Sequence, residues 1–344
     1  MADELESHLR TRTYVFAVTT RVVVQRTSRI RMKRMLVTLL MVTACMAASV
    51  GSTTSFGEPR LIIEGVELGW PSWSPDGLEI AIDVRAQQLI ARVPTAGGDR
   101  EIIGRGAYLN DPAWSSSGNI AYIDKKDEER FLVVRRPGGG IAKYGVGTSG
   151  ELAERPWDPS GFRLAFITEA VLGYIDTRTG ETTSVPRESL RSSIGMMRWS
   201  NDGDSVYGMT ANGLARISFV PYKMELVVRN ARAPYATDSF GGIWTKSDRG
   251  DGVVHHSPEG RLTEYSFGGD VRCIDANPAF EEIAVCVRGS GVFQLDAISG
   301  EKIQVTRGDA DYLARWAPDG RSIAFVRSIH GERADLYVVS RVEE

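Results

Sequence analysis

The chain has 344 residues, 42% apolar, 25% charged and 8% aromatic, with 36 Gly and 14 Pro, which excludes a disordered, collagen-like or multi-span membrane protein. Formal net charge is −3, yet residues 1–44 hold eight Arg/Lys against three Asp/Glu, leaving a body of 33 basic and 41 acidic groups, net −8. Such a body lacks the clustered Lys/Arg that neutralise phosphates, so no nucleic-acid partner is expected.

Residues 1–31 are polar, Arg-rich and without a clear period, and read as an over-extended or disordered N-terminus; Asp3, Glu4 and Glu6 weigh against an organelle transit peptide. Residues 32–50 read as a signal: the basic stretch Arg29 to Arg34, the apolar run Met35 to Ala44, then small residues. The apolar core is too short to span about 30 Å of hydrocarbon as a stable helix. Val42-Thr43-Ala44-Cys45 is similar to a bacterial lipobox, with Cys45 as the lipidated residue; cleavage after Ala47 or Ala48 would instead release a soluble product. Both outcomes predict an extracytoplasmic location, periplasm or cell surface, with membrane contact only through a lipid anchor or an uncleaved signal. Residues 51–57 are expected to be a linker and 58–344 the folded domain.

That domain carries a repeat. Trp73-Ser74-Pro75-Asp76-Gly77 leading to Ile80-Ala81-Ile82 recurs as Trp316-Ala317-Pro318-Asp319-Gly320 leading to Ile323-Ala324-Phe325. Related units start at Trp114, Trp157 and Trp199, and degenerate ones without the Trp at Ala236 and Ala276. The anchors at 73, 114, 157, 199, 236, 276 and 316 are 37 to 43 residues apart. In each unit a short β-prone stretch ends at the anchor, a Pro-Asp-Gly type cluster turns the chain, and an apolar β-run returns antiparallel. A second hairpin follows, for example Leu89-Ile90-Ala91 through Gly97-Gly98 to Glu101-Ile102-Ile103. Four short strands per forty residues with no amphipathic helix predict an all-β, seven-bladed β-propeller of four-stranded antiparallel blades. Only 28 residues follow Trp316, so Arg60-Leu61-Ile62-Ile63 is expected to supply the missing outer strand, closing the ring with N- and C-terminal strands. Six blades with one irregular insertion is the alternative.

The phased Trp-Ser-Pro-Asp-Gly…Ile-Ala-Phe units resemble the WD40-like repeat of TolB-type propellers, over about five-sixths of the chain. No segment between Cys45 and Arg60 could supply the extra α/β domain of TolB itself. The resemblance implies an exported scaffold at the cell envelope that binds another protein or a ligand.

Chemistry-bearing motifs are sparse. No Gly-x-Ser-x-Gly, HExxH, Cys-x-x-Cys or EF-hand spacing occurs, and only four His are present. His255 and His256 adjoin on a predicted strand, face opposite sides and make a poor metal pair; they read as surface residues, as does His330. Gly138-Gly139-Gly140 reads as a hairpin turn, and Asp76, Asp202 and Asp319 as turn residues. No cofactor and no metal site are expected. Pairing Ala276 with Ile283 across their turn sets Cys273 opposite Cys286, which predicts a disulfide within one blade, two buried free thiols being the alternative. A binding site is expected at the channel mouth where segments lead into the innermost strands: Tyr108, Asn110, Asp111, Glu151, Glu154, Arg191, Arg232, Asp311 and Tyr312. The reading that follows is a monomeric, non-catalytic scaffold for an envelope or extracellular protein or a small ligand. The alternatives are a glycan or peptide lyase or hydrolase using mouth carboxylates such as Glu151 or Asp311, and a small-ligand sensor.

Overall fold

Alternation of apolar runs with Gly-containing turns gives strands and nothing else of length. The computed structural model describes residues 55–342 apart from 66, 106–109, 187, 189–193 and 330–332, and, within strands, the side chains of Asn110 and Asp111 are not described. Among the described residues there is no α-helix, 3-10 conformation occurs at Arg85–Gln87 and at Glu188, and no helix is long and apolar enough to cross a membrane. The N-terminal signal and Cys45 lie outside the described residues.

The strands form seven successive antiparallel units, a β-propeller. Their first strands are Ser72–Trp73, Asn110–Trp114, Glu151–Trp157, Gly195–Trp199, Arg232–Thr237, Val271–Ala276 and Asp311–Trp316. These lie innermost, and several touch the next unit's first strand directly. Second strands are the most enclosed, and every residue of Glu282–Val287 is buried. Fourth strands such as Ile141–Gly145 and Leu262–Ser266 alternate exposed and half-buried residues, as outer strands with one solvated face do.

Seven apolar clusters occupy the seams between units. One joins the first unit to the seventh, packing Ile80, Ile82 and Val84 with Ala324, Val326 and Leu336. Another joins the sixth to the seventh through Cys286, Val292, Trp316 and Phe325. The seventh unit is completed from the other end of the chain: Arg60–Ile63 pairs antiparallel with Ala334–Val342, Arg60 opposite Val338. Ser55 and Phe56, expected in the linker, also pair with this strand, opposite Val342 and Arg341. The ordered pairing therefore starts earlier than residue 58, because the nine-residue strand Ala334–Val342 offers an edge long enough for both segments.

The Trp anchors tie one unit to the next. The indole Nε1–H of Trp73 donates to the Arg315 carbonyl (3.1 Å), that of Trp157 to Ala113 (2.8 Å) and that of Trp199 to Pro156 (2.7 Å). Each acceptor is the residue just before the neighbouring unit's anchor. The turns after the anchors are built locally. Asp76 accepts from the Ser74 hydroxyl and the Leu78 N–H, and Asp202 does the same for Ser200 and Asp204. Gly320 needs its φ of +69°, and a Cβ there would come within 2.3 Å of Asn277 Oδ1 on the adjacent turn.

Where the anchor Trp is missing, the hairpin is filled from its other strand. Ala236 stands opposite Trp244, whose Nε1–H donates to Asp238 at 2.9 Å. His255 stacks on the same indole with ring centroids 4.2 Å apart, so this histidine is packed, not simply a surface residue. In the sixth unit Cys273 and Cys286 are directly opposed, with Cα atoms 4.9 Å apart, and are joined by a disulfide.

Candidate functional site

The inner strands are not regular. Six of the seven shift register one to a few residues before the anchor. Met196 and Leu313, at two of these bulges, have φ of +50° and +56°, conformations that bulky residues adopt only under constraint. A bulge re-aims the side chains that follow it, and here those side chains converge on the channel.

Five charged residues meet there. Glu154 and Arg155 come from the third unit, Arg198 from the fourth, Asp275 from the sixth and Arg315 from the seventh. The third and fourth units are joined by parallel pairing of Arg155 with Arg198. Glu154 Oε1 accepts from Arg198 at 2.6 Å and Arg315 at 2.9 Å. Asp275 Oδ1 accepts from Arg315 at 3.0 Å and from Arg155, while Oδ2 accepts the Trp316 backbone N–H at 2.9 Å. Arg315 lies over Trp70, 4.0 Å from the ring centroid, and Arg198 over Tyr235 at 5.3 Å. The Tyr235 hydroxyl donates to the Met196 carbonyl at 2.6 Å.

Burial alone would push both carboxyls up. For Glu154 the Arg198 and Arg315 guanidiniums outweigh it and hold the group at about 2. For Asp275 burial is outweighed by Arg155 and Arg315, and the shift is also downward. Both are therefore ionised throughout the physiological range. A folded pKa below the unfolded value contributes stability that is present above the unfolded pKa, near 4.5, and is lost as pH falls toward 2. Between pH 6 and pH 3 the Glu154 contribution should fall by about 2 kcal/mol. Urea unfolding of the wild type and of Glu154→Gln at both pH values checks this: the pH-dependent loss should be smaller in the variant by that amount.

Four of the five, Glu154, Arg155, Asp275 and Arg315, form one wall of a cavity of about 770 Å³, with Arg198 behind them on Glu154. The remaining wall is mostly indole and pyrrolidine: Trp70, Trp73, Trp114, Trp157 and Trp316, with Pro75, Pro159, Pro278 and Pro318 from the turns after the anchors. The cavity thus opens toward the end where the inner strands finish.

Among the described residues singled out for the mouth, Glu154 alone lines this cavity. Glu151 is exposed at the upstream end of its strand, 3.5 Å from Arg130. Arg232 is exposed and 4.0 Å from Asp248. Asp311 is buried and held by Arg327 at 2.6 and 2.9 Å, a structural pair. Tyr312 is half-buried against the cluster between the first and seventh units. Asn110 and Asp111 lie in the second unit's first strand, while Tyr108 and Arg191 fall outside the described residues. The cavity lies toward the other ends of these strands, built from the residues before the anchors, the bulges and the turns that follow. The segment Glu151 to Arg155 was expected at the mouth, but Arg198, Asp275 and Arg315 were not. A signal was present: Arg198, Tyr235, Asp275 and Arg315 each stand immediately before an anchor, where strands otherwise carry apolar or small residues.

Among the described residues no group of His, Cys, Asp or Glu is arranged to hold a metal ion. No protein-family model and no curated protein sequence matches the chain. Solved structures do. A streptogramin B lyase is similar with a TM-score of 0.64 at 16% identity, over 83% of this chain and 98% of that one. A catalytically inactive histidine-to-alanine variant of virginiamycin B lyase from Staphylococcus aureus, with quinupristin, has a TM-score of 0.62 at 14% identity, covering 84% and 100%. The Cps50 (Swd1) β-propeller domain of Myceliophteria thermophila has a TM-score of 0.56 at 10% identity, covering 83% and 99%. At these identities the likeness is one of fold.

Proposed function

We propose that this chain is an exported, non-catalytic β-propeller that acts as a protein-binding scaffold at the cell envelope, docking its partner on the end where the cavity opens. The observation that carries this reading is the state of the cavity's titratable groups. Glu154, Asp275 and Asp158 are each bound to guanidiniums, the last to Arg163 at 2.9 Å, and their pKa values lie below the ordinary carboxylate range. General acid–base catalysis wants a group titrating near the working pH, and these do not. The cavity hydroxyls of Ser72, Ser115 and Ser116 bond to backbone or to another serine.

The surrounding face suits a partner. Its turns expose Leu78, Phe240, Phe280 and Ile298 together with the ring of prolines, an apolar rim around a charged centre. The N-terminal signal-like segment and the acidic body agree with an exported protein, and lipidation of Cys45 would hold it at the membrane. A lyase-type enzyme is the second reading, favoured by the similar lyase structures. The similar virginiamycin B lyase variant is catalytically inactive with a histidine replaced by alanine, whereas the described histidines here, His255 and His256, lie in the fifth unit and do not line the cavity.

Affinity capture from the cognate envelope fraction, run with wild type and with a Leu78→Asp/Phe280→Asp variant, tests this. One stoichiometric protein recovered by the wild type and lost with the variant is expected, with no turnover of a cyclic depsipeptide, peptide or glycan panel. Turnover, or recovery indifferent to the variant, overturns it.

A further inference from the structure

The cavity has a feature that partner docking on the rim does not use. Its charged cluster sets three guanidiniums against two carboxylates. Arg198 and Arg315 are 4% and 8% exposed, and both are held by Glu154 or Asp275. Arg155 differs. It only shares Asp275 with Arg315, and 46% of its side chain remains accessible although it lines the channel cavity. The remaining carboxylate of the wall, Asp158, is neutralised by Arg163. One positive charge is therefore uncompensated, and it sits on the one guanidinium of the cluster that solvent can reach.

The opposite surfaces are indole. Two of the lining tryptophans, Trp114 and Trp316, have buried indole N–H groups that make no hydrogen bond, whereas Trp73 and Trp157 donate to backbone carbonyls. A bare inorganic anion would satisfy the charge and leave the indole walls wet. A neutral aromatic would cover the walls and leave the charge. The size, about 770 Å³, falls within the roughly 300–1,000 Å³ of small-molecule sites.

We propose that this cavity binds an organic carboxylate with a planar apolar body, the carboxylate paired with the accessible Arg155 guanidinium and the body covered by the tryptophan walls. Arg supplies the planar, two-pronged donor set that matches a carboxylate, and the enclosing low-dielectric walls strengthen the pair. This holds whether or not a protein docks on the rim, so failure here leaves the scaffold reading standing, and failed capture leaves this one standing.

The test is calorimetric titration of the whole protein with phenylacetate and its neutral isostere phenylacetamide, and with a short peptide ending in Phe as free acid and as amide. Saturable binding of an acid, at least about tenfold tighter than its amide, is expected, tenfold being about 1.4 kcal/mol. Arg155→Gln should erase the discrimination with the thermal midpoint little changed, and Arg155→Lys should retain part of it. Binding of phenylacetate identifies a free small acid as the ligand. Binding of the peptide acid alone assigns the carboxylate to a chain terminus. The proposal is overturned if acid and amide bind equally, if neither acid saturates at millimolar concentration, or if Arg155→Gln keeps the discrimination.

Discussion

Asp275→Ala is expected to lower the unfolding free energy by about 3–5 kcal/mol, the range for removing one partner of a buried ion pair. Asp275 is fully buried and accepts from Arg155, Arg315 and the Trp316 backbone N–H. Without it Arg315 keeps only Glu154, and a buried N–H in the seam between the sixth and seventh units loses its acceptor. Asp275→Asn keeps an oxygen for the N–H and no charge, so its cost should lie between wild type and Asp275→Ala. Arg155→Gln removes a guanidinium from the same carboxylate, but an accessible one, and should cost about 1 kcal/mol or less. Urea unfolding of the three variants gives the order. An Asp275→Ala cost no larger than that of Arg155→Gln would mean that the cluster is solvated and does not hold the ring together.

The same cluster marks where sequence reading succeeded and where it stopped. The repeat was legible because five of the units announce themselves within ten residues: a Trp, a turn whose Ser or Asp side chain accepts from its own backbone, and an apolar run such as Ile323-Ala324-Phe325. The opposition of Cys273 and Cys286 followed from one turn, and they are register partners. Even the degenerate copies obey local logic, since Trp244 sits across from the Ala236 that replaces an anchor. The channel was not legible in that way. Its ion pairs join residues 120 and 161 apart in sequence, Arg155 with Asp275 and Glu154 with Arg315. Strand alternation gives no guide either, because bulges between Leu152 and Trp157, and between Tyr312 and Arg315, break the period of two before the side chains that matter. Polar residues collect in connecting segments whether or not those segments line a site. Asp311, next to such a segment, is bound to Arg327 as a structural pair, while Arg315 four residues on reaches the cavity.

Trp199→Ala should destabilise the protein by about 3–5 kcal/mol, as truncation of a large buried aromatic does. The indole is 5% exposed in the seam between the third and fourth units, with the Tyr174 ring edge-on at 5.5 Å, Phe219 at 6.1 Å and the Arg163 guanidinium 4.9 Å above it. That loss mixes packing with the hydrogen bond to the Pro156 carbonyl. A pair of phenylalanine variants separates them. Trp199→Phe keeps an aromatic in the seam and removes the 2.7 Å bond, leaving a buried carbonyl without its donor. Trp316→Phe makes the same change at an anchor that is also 5% exposed, but its indole N–H makes no bond and nothing is lost with it. Trp199→Phe should therefore cost about 1 kcal/mol more than Trp316→Phe in urea unfolding, and that difference is the worth of one inter-unit clamp. Equal costs would show that the tryptophans act only as volume between units, and that the bonds from Trp73, Trp157 and Trp199 to the preceding units follow from packing without fixing it.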